Sequence, residues 1–237
     1  MTSSAADFYS KEYFLGQSDK RGEFSLVDLD AKFYDRTQTV IEYFGLEHSD
    51  PGRIVEAGCG TAPFYRVIRT IASLEHIDII CSDITDNGVK LLDNNSRPPF
   101  VLGGAEKLPF ETGSVGGVVL WDILEHIAHP ELALREAHRV LKSGGFVHII
   151  SPNPSSWLRD ASDSDNDPYR RDKSHIFPPI VTVDFLDDAL SQLGFKYEIY
   201  TRGFQGSPGQ AQQGIKAMKL AEADSSGSHI VVFARKL

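Results

Sequence analysis

Ile54-Val55-Glu56-Ala57-Gly58-Cys59-Gly60-Thr61-Ala62-Pro63-Phe64 is the stretch that decides the fold. A short apolar run ends in an acid and two glycines, and a helical pattern begins at once. Glycines at such a junction permit a tight turn and let a ligand lie against bare backbone. Open α/β sheets place a nucleotide-like cofactor at a strand-turn-helix of this kind, at the first βα junction. The flanking acid narrows the choice. A dinucleotide brings an anionic pyrophosphate, which Glu56, two residues before Gly58, would repel. The dinucleotide fingerprint also needs a third glycine three residues after the second, and Pro63 stands there. A phosphate-free cofactor with a positive centre fits the stretch better.

Further segments follow in order. Ile77-Asp78-Ile79-Ile80-Cys81-Ser82-Asp83-Ile84-Thr85 reads as a buried strand ending in an acid. Asp83 lies 20 residues after Pro63, the usual separation for a carboxylate that holds ribose hydroxyls. Then come Gly104-Ala105-Glu106-Lys107-Leu108-Pro109-Phe110, Val118-Val119-Leu120-Trp121-Asp122-Ile123-Leu124-Glu125-His126-Ile127 and Arg139-Val140-Leu141-Lys142-Ser143-Gly144-Gly145. Together these segments, from about residue 50 to 155, resemble the class I S-adenosylmethionine (SAM)-dependent methyltransferases, whose first motif is acidic-x-Gly-x-Gly. The type 11/23-like branch, similar to ubiquinone and sugar O-methyltransferases, is the nearest in pattern.

The resemblance implies an α/β fold. It is Rossmann-like and doubly wound, with a seven-stranded, mostly parallel sheet and an antiparallel edge hairpin of strands 6 and 7. It implies SAM as cofactor. On the matching positions it implies Glu56 near the cofactor's amino acid end and Gly58, Cys59 and Gly60 along the turn. Asp83 would hold ribose, Ile84 and Trp121 would line the cofactor, and Ala105 and Glu106 would lie along adenine. Arg36, 20 residues before Glu56, is a candidate partner for the cofactor's carboxylate. Two positions depart from the pattern. Gly104 and Gly116 stand where the family often has aspartates. They motivate an alternative reading, a catalytically inactive SAM-binding regulatory or interaction protein.

Periodicity supplies the elements. Phe33, Thr37, Val40, Ile41 and Phe44 recur at helical spacing, with Gly45 to close. Strands are expected at 53–57, 77–82, 99–102, 116–121, 146–151, 195–201 and 229–234, with helices over 62–73 and 85–93. Pro130 opens a helix with a stripe of Ala133, Ala137, Val140 and Leu141, ended by Gly144-Gly145. Thr182 caps another, with Leu186, Ala189, Leu190 and Leu193 inward. The whole chain, 1–237, reads as one domain with an arm over 1–28 and an insert over 152–180. The arm either packs on the surface or covers the cofactor. The insert leaves strand five at the ligand edge and is read as a substrate lid, against a solvated acidic loop. Residues 203–214 also break the pattern.

Composition excludes several classes. A hydrophobic content of 41% in 237 residues supports a core. No run approaches the ~20 apolar residues of a bilayer span. The first residues lack a signal-peptide pattern, and Cys59 and Cys81 suit a reducing compartment, so a cytoplasmic location is expected. A net charge of −9 argues against nonspecific nucleic-acid binding. The acceptor is expected to be a small molecule or a glycan, methylated on oxygen.

Methyl transfer from a sulfonium is an in-line displacement, so the protein mainly aligns the reactants. A base is needed only where the acceptor must lose a proton. His126 and His175 are the candidate bases, because imidazole titrates near neutral pH. Asp122, Glu125, His126 and His129 stand at i, i+3, i+4 and i+7. On a helix they would share a face. Asp122-x-x-Glu125-His126 resembles the metal-binding motif of small-RNA 2′-O-methyltransferases and some quinone O-methyltransferases. That gives a second alternative, metal-assisted RNA or quinone O-methylation. Ion pairing and capping explain the same spacing, and no metal is expected. A dinucleotide oxidoreductase is disfavoured by Glu56 and Pro63.

Overall fold

Strand β4, Val115–Trp121, builds two cores at once. Its side chains alternate across the sheet. Val118 and Leu120 pack on one face with Ala133, Ala137, Leu186 and Leu190. Val119 and Trp121 pack on the other with Val40, Ile41, Phe44, Phe64 and Ile68. A strand apolar on both faces belongs in the middle of a sheet covered on both sides.

The computed structural model describes residues 9–10, 13–14, 26–157, 180–202 and 229–237. Around β4 lie β1 (Ile54–Ala57), β2 (Ile79–Asp83), β3 (Phe100–Leu102), β5 (Leu141–Pro152), β6 (Phe195–Arg202) and β7 (His229–Lys236). The sheet order is β3-β2-β1-β4-β5-β7-β6. The first five strands run parallel, and β7 is antiparallel to both β5 and β6. This is the doubly wound sheet with an antiparallel edge pair. Helices α1 (Leu26–Phe44) and α2 (Pro63–Ile68) cover one face, and α3 (Pro130–Val140) and α4 (Val183–Gln192) the other. The strand order reverses between β1 and β4, which makes their carboxyl ends the ligand crevice of such a sheet. No helix among the described residues is long and apolar enough to cross a membrane.

Three expectations need correction. The helix over 62–73 stops at Ile68, with a separate 3₁₀ turn at Ala72–Leu74. Thr70 turns its hydroxyl back to the Val67 carbonyl at 2.7 Å, and β-branched Thr70 and Ile71 hold the helix poorly. The helix over 85–93 reduces to a 3₁₀ turn at Val89–Leu91. Gly88 there presses on the Gly60 turn: a Cβ on it would stand 2.2 Å from the Gly60 carbonyl oxygen. Leu141, expected in the helical stripe, instead begins β5.

Candidate cofactor and acceptor site

Glu56 organises the turn after β1. The chain reverses where Gly58 and Cys59 both give their N–H to the Ser82 carbonyl, at 2.7 and 3.1 Å. It enters α2 through Ala62, held left-handed at φ 55°. Pro63 opens the helix and carries no N–H. The next two N–H groups, of Phe64 and Tyr65, both donate to the Glu56 carboxylate at 3.0 Å. A helix N-terminus is a ready anion site, and here the chain's own carboxylate fills it. The pyrophosphate of a dinucleotide would need the same donors. Glu56, expected near the amino acid end of the cofactor, is 4% exposed and points into the helix end. Burial pushes its carboxyl up to about 7, against the pull of the Tyr65 and Phe64 N–H groups.

Asp83 closes the other side of the turn. Its Oδ2 accepts the Gly60 N–H at 2.9 Å and its Oδ1 the Thr85 N–H at 3.3 Å. The Ile84 N–H also faces this carboxylate, whose two oxygens offer about four acceptor sites, so one stays open. Burial raises its carboxyl, opposed by those N–H groups. The Ser82 hydroxyl donates to the Gly103 carbonyl at 2.7 Å, and the Gly103 N–H to the Asp83 carbonyl at 2.8 Å. The ends of β1, β2 and β3 are thereby locked together. Gly58, Cys59, Gly60, Asp83, Ile84, Ala105 and Glu106 therefore share one end of the sheet. Ile84 is exposed and lies over Gly104, Ala105 is buried and Glu106 is half-buried. A Cβ on Gly58 would meet Ile123 at 2.6 Å, so the turn is also closed in from the β4 side. A buried carboxylate with an acceptor site left open suits a ribose hydroxyl. The filled helix end leaves no seat for a phosphate. The donor set fits SAM.

Asp122 follows β4 in a left-handed conformation, φ 50°, a strained state for a non-glycine residue. Its N–H is held by the Ile150 carbonyl at 2.8 Å. Arg36 of α1 reaches its Oδ2 with Nη1 at 2.6 Å. Arg36, expected beside the cofactor's carboxylate, is 2% exposed and gives that nitrogen to Asp122 instead. Trp121, expected to line the cofactor, sits in the core. It stacks on Phe33 with centroids 5.9 Å apart and donates Nε1–H to His148 Nδ1 at 2.7 Å. Burial drives His148 down to about 3, so the ring is neutral.

Leu124–His126 is a 3₁₀ turn, so the helical face that the Asp122, Glu125, His126, His129 spacing requires does not form. Among the described residues, no group of three His, Cys, Asp or Glu side chains could hold a metal ion. Glu125 is buried. Its Oε2 accepts the Ser151 hydroxyl at 3.2 Å, and its Oε1 lies 3.8 Å from His126 Nε2 without a hydrogen bond. Burial, then the Asp122 charge, holds its carboxyl well above the usual range. His175 lies outside the described residues, as do residues 158–179 of the insert and 203–214. Sequence reasoning misses the Arg36–Asp122 pair, whose members are 86 positions apart. It also misses Asn87 and Gly88, which carry no motif.

Residues 55–149 match a family model described as a methyltransferase domain. The 2-methyl-6-phytyl-1,4-hydroquinone methyltransferase 1 of Oryza sativa subsp. japonica is 30% identical over 114 residues, 45% of this chain and 33% of that protein. The ubiquinone/menaquinone biosynthesis C-methyltransferase UbiE of Burkholderia vietnamiensis is 30% identical over 134 residues, 49% of this chain and 55% of that protein. The chain thus spans between a third and just over half of the length of these relatives. The crystal structure of a SAM-dependent methyltransferase from Archaeoglobus fulgidus superposes with a TM-score of 0.66 at 20% identity, covering 94% of this chain and 99% of that one. That likeness shows the fold. Residues 55–149 thus carry a match to the methyltransferase domain family, on a sheet that superposes with that of a SAM-dependent methyltransferase.

Proposed function

We propose that this chain transfers a methyl group from SAM to a small aromatic acceptor bearing a hydroxyl, of the quinol kind. One observation carries the reading. The glycine turn is closed between a helix end already filled by Glu56 and a buried Asp83 with acceptor capacity left after three backbone N–H groups. Asp83 would hold the ribose hydroxyls, the Gly58–Gly60 backbone would lie along the cofactor, and Ile84 and Ala105 would flank adenine. When bound, SAM supplies a methyl group already activated on a sulfonium. The chain's own task is alignment and proton handling. His126, with Glu125 behind it at 3.8 Å, stands after β4 and would take the acceptor's hydroxyl proton. The hydroquinone and quinone relatives support a small aromatic acceptor over a glycan.

Oxygen is the expected methyl-accepting atom. Ring-carbon methylation, the chemistry in the name of the UbiE relative, is a second reading, and it begins with loss of the same hydroxyl proton. A second class of function, an inactive SAM-binding protein, is favoured by the absent acid at Gly104. A Cβ there would come 3.1 Å from the Cγ2 tip of Ile84, which a side-chain rotation relieves. The acid is missing by sequence rather than for lack of space.

S-adenosylhomocysteine at a hundred times its Kd should stabilise the fold by about 2.7 kcal/mol, and NAD should not. Asp83→Ala should weaken that binding by roughly 1.5–3 kcal/mol, as for a hydrogen bond to a charged group. Calorimetric titration checks both, and normal binding by the variant would remove the ribose assignment. With methyl-labelled SAM and 2-methyl-1,4-hydroquinone, mass spectrometry and NMR of the product give turnover and the methylated atom. S-adenosylhomocysteine binding without label transfer to any hydroxylated aromatic would favour the inactive reading.

A further inference from the structure

Three loops meet at the point where the strand order reverses, carrying Gly60 after β1, Asn87 after β2 and His126 after β4. A short segment far outside residues 55–149 touches all three. The Asn87 side-chain amide donates to the Tyr9 carbonyl at 2.9 Å. The Tyr9 ring stands edge-on to His126, with centroids 6.3 Å apart at 80°. Phe14, only 8% exposed, packs on the glycine turn: a Cβ on Gly60 would stand 3.2 Å from its Cε1. Ser10 is tied to Tyr13 and Phe14, its carbonyl accepting the Phe14 N–H and its hydroxyl the Tyr13 N–H, both at 3.4 Å. Tyr13 sits edge-on between its neighbours, 5.0 Å from Tyr9 and 5.2 Å from Phe14.

We propose that Tyr9, Ser10, Tyr13 and Phe14 complete the cofactor site as an aromatic strap laid across the crevice between β1 and β4. The proposal rests on the SAM reading above and adds where the site's roof comes from. Acids stand on both sides of the crevice, Asp83 at the end of β2 and Asp122 and Glu125 after β4, with His126 3.8 Å from Glu125. Three rings tied to both sides give it an apolar cover. Such a cover excludes water from a reacting centre, and it must lift for ligand to enter or leave. The ribose half is reached through the Tyr9–Asn87 bond and the acceptor half through Tyr9 on His126. One movement of the strap would therefore open both halves.

Release of S-adenosylhomocysteine, followed by stopped-flow displacement, should be roughly tenfold faster in Phe14→Ala, through loss of the buried ring. Trypsin cleavage after Lys11, inside the strap sequence, should slow when S-adenosylhomocysteine is added to the unaltered chain. It should accelerate in Asn87→Ala without any ligand. Unchanged release in Phe14→Ala, or equal Lys11 cleavage in Asn87→Ala and the unaltered chain, would overturn the strap. Failure of the unaltered chain to bind S-adenosylhomocysteine would instead remove the SAM reading. The ligand-free cleavage comparison then still decides whether the strap is docked.

Discussion

Gly116 looks like a lost acid and is a packing requirement. Its N–H reaches the Arg53 carbonyl at 2.7 Å, and a Cβ built on it would lie 1.6 Å from the Pro51 carbonyl oxygen. The turn before β1 crosses the start of β4 so closely that only glycine fits. Gly116→Asp should therefore cost about 4 kcal/mol, at the upper end for single substitutions, as measured by urea unfolding. A loss below about 1 kcal/mol would show that the turn can move aside. The departure from the family pattern at this position thus says nothing against catalysis. Other residues were legible in advance for a physical reason. Asp83 and the Gly58–Gly60 turn are read from spacing alone, because a strand-turn-helix fixes where an acid after the next strand must stand. Spacing reads Arg36 as a cofactor partner; its bond to Asp122 depends on how α1 lies across the sheet, which no local pattern encodes.

Elements divide in the same way. The strands were found within a few residues, since continuous apolar runs bounded by polar turns leave little choice. The helices beside the ligand crevice were overestimated. Thr85–Asp93 carries acceptable helical spacing, yet Gly88 must lie against the Gly60 carbonyl and the Thr85 hydroxyl takes the Asn87 N–H at 3.3 Å. Tertiary contact overrides propensity there. Helix α4 behaves as its sequence predicts. Thr182 accepts the Phe185 N–H at 3.1 Å, and Leu186 and Leu190 face inward. Thr182→Ala should cost about 1 kcal/mol as a lost cap, read as a lower urea midpoint with the slope unchanged. No loss at all would mean that water replaces the hydroxyl at that helix end.

At the scale of the molecule, Glu56, Asp83 and Glu125 are buried carboxyls, all raised by burial. A carboxyl raised in the folded state binds protons more readily there than in the unfolded chain. Its contribution is complete below the unfolded value and is lost as pH rises through the folded one. For Glu56 that window runs from 4.5 to about 7, on the order of 3 kcal/mol. The free protein should therefore melt at lower temperature at pH 8 than at pH 5. Glu56→Gln should flatten that slope. Calorimetric scans across the range check both, and a rising melting temperature would show that the N–H bonds to Glu56 outweigh its burial.

The β5–β7 pairing has a practical bearing on anyone trimming this chain. Seven residues of β5, Phe146 to Pro152, are laddered to β7, which lies some eighty positions beyond the last residue of the matched segment. A fragment cut to that segment would turn a central strand into a bare edge. Its unpaired backbone groups, flanked by apolar side chains from both cores, would form a template for intermolecular pairing. The part of the chain that carries the family's signature is thus not a unit that can be kept in solution alone. Its solubility is held by a strand at the other end of the sequence.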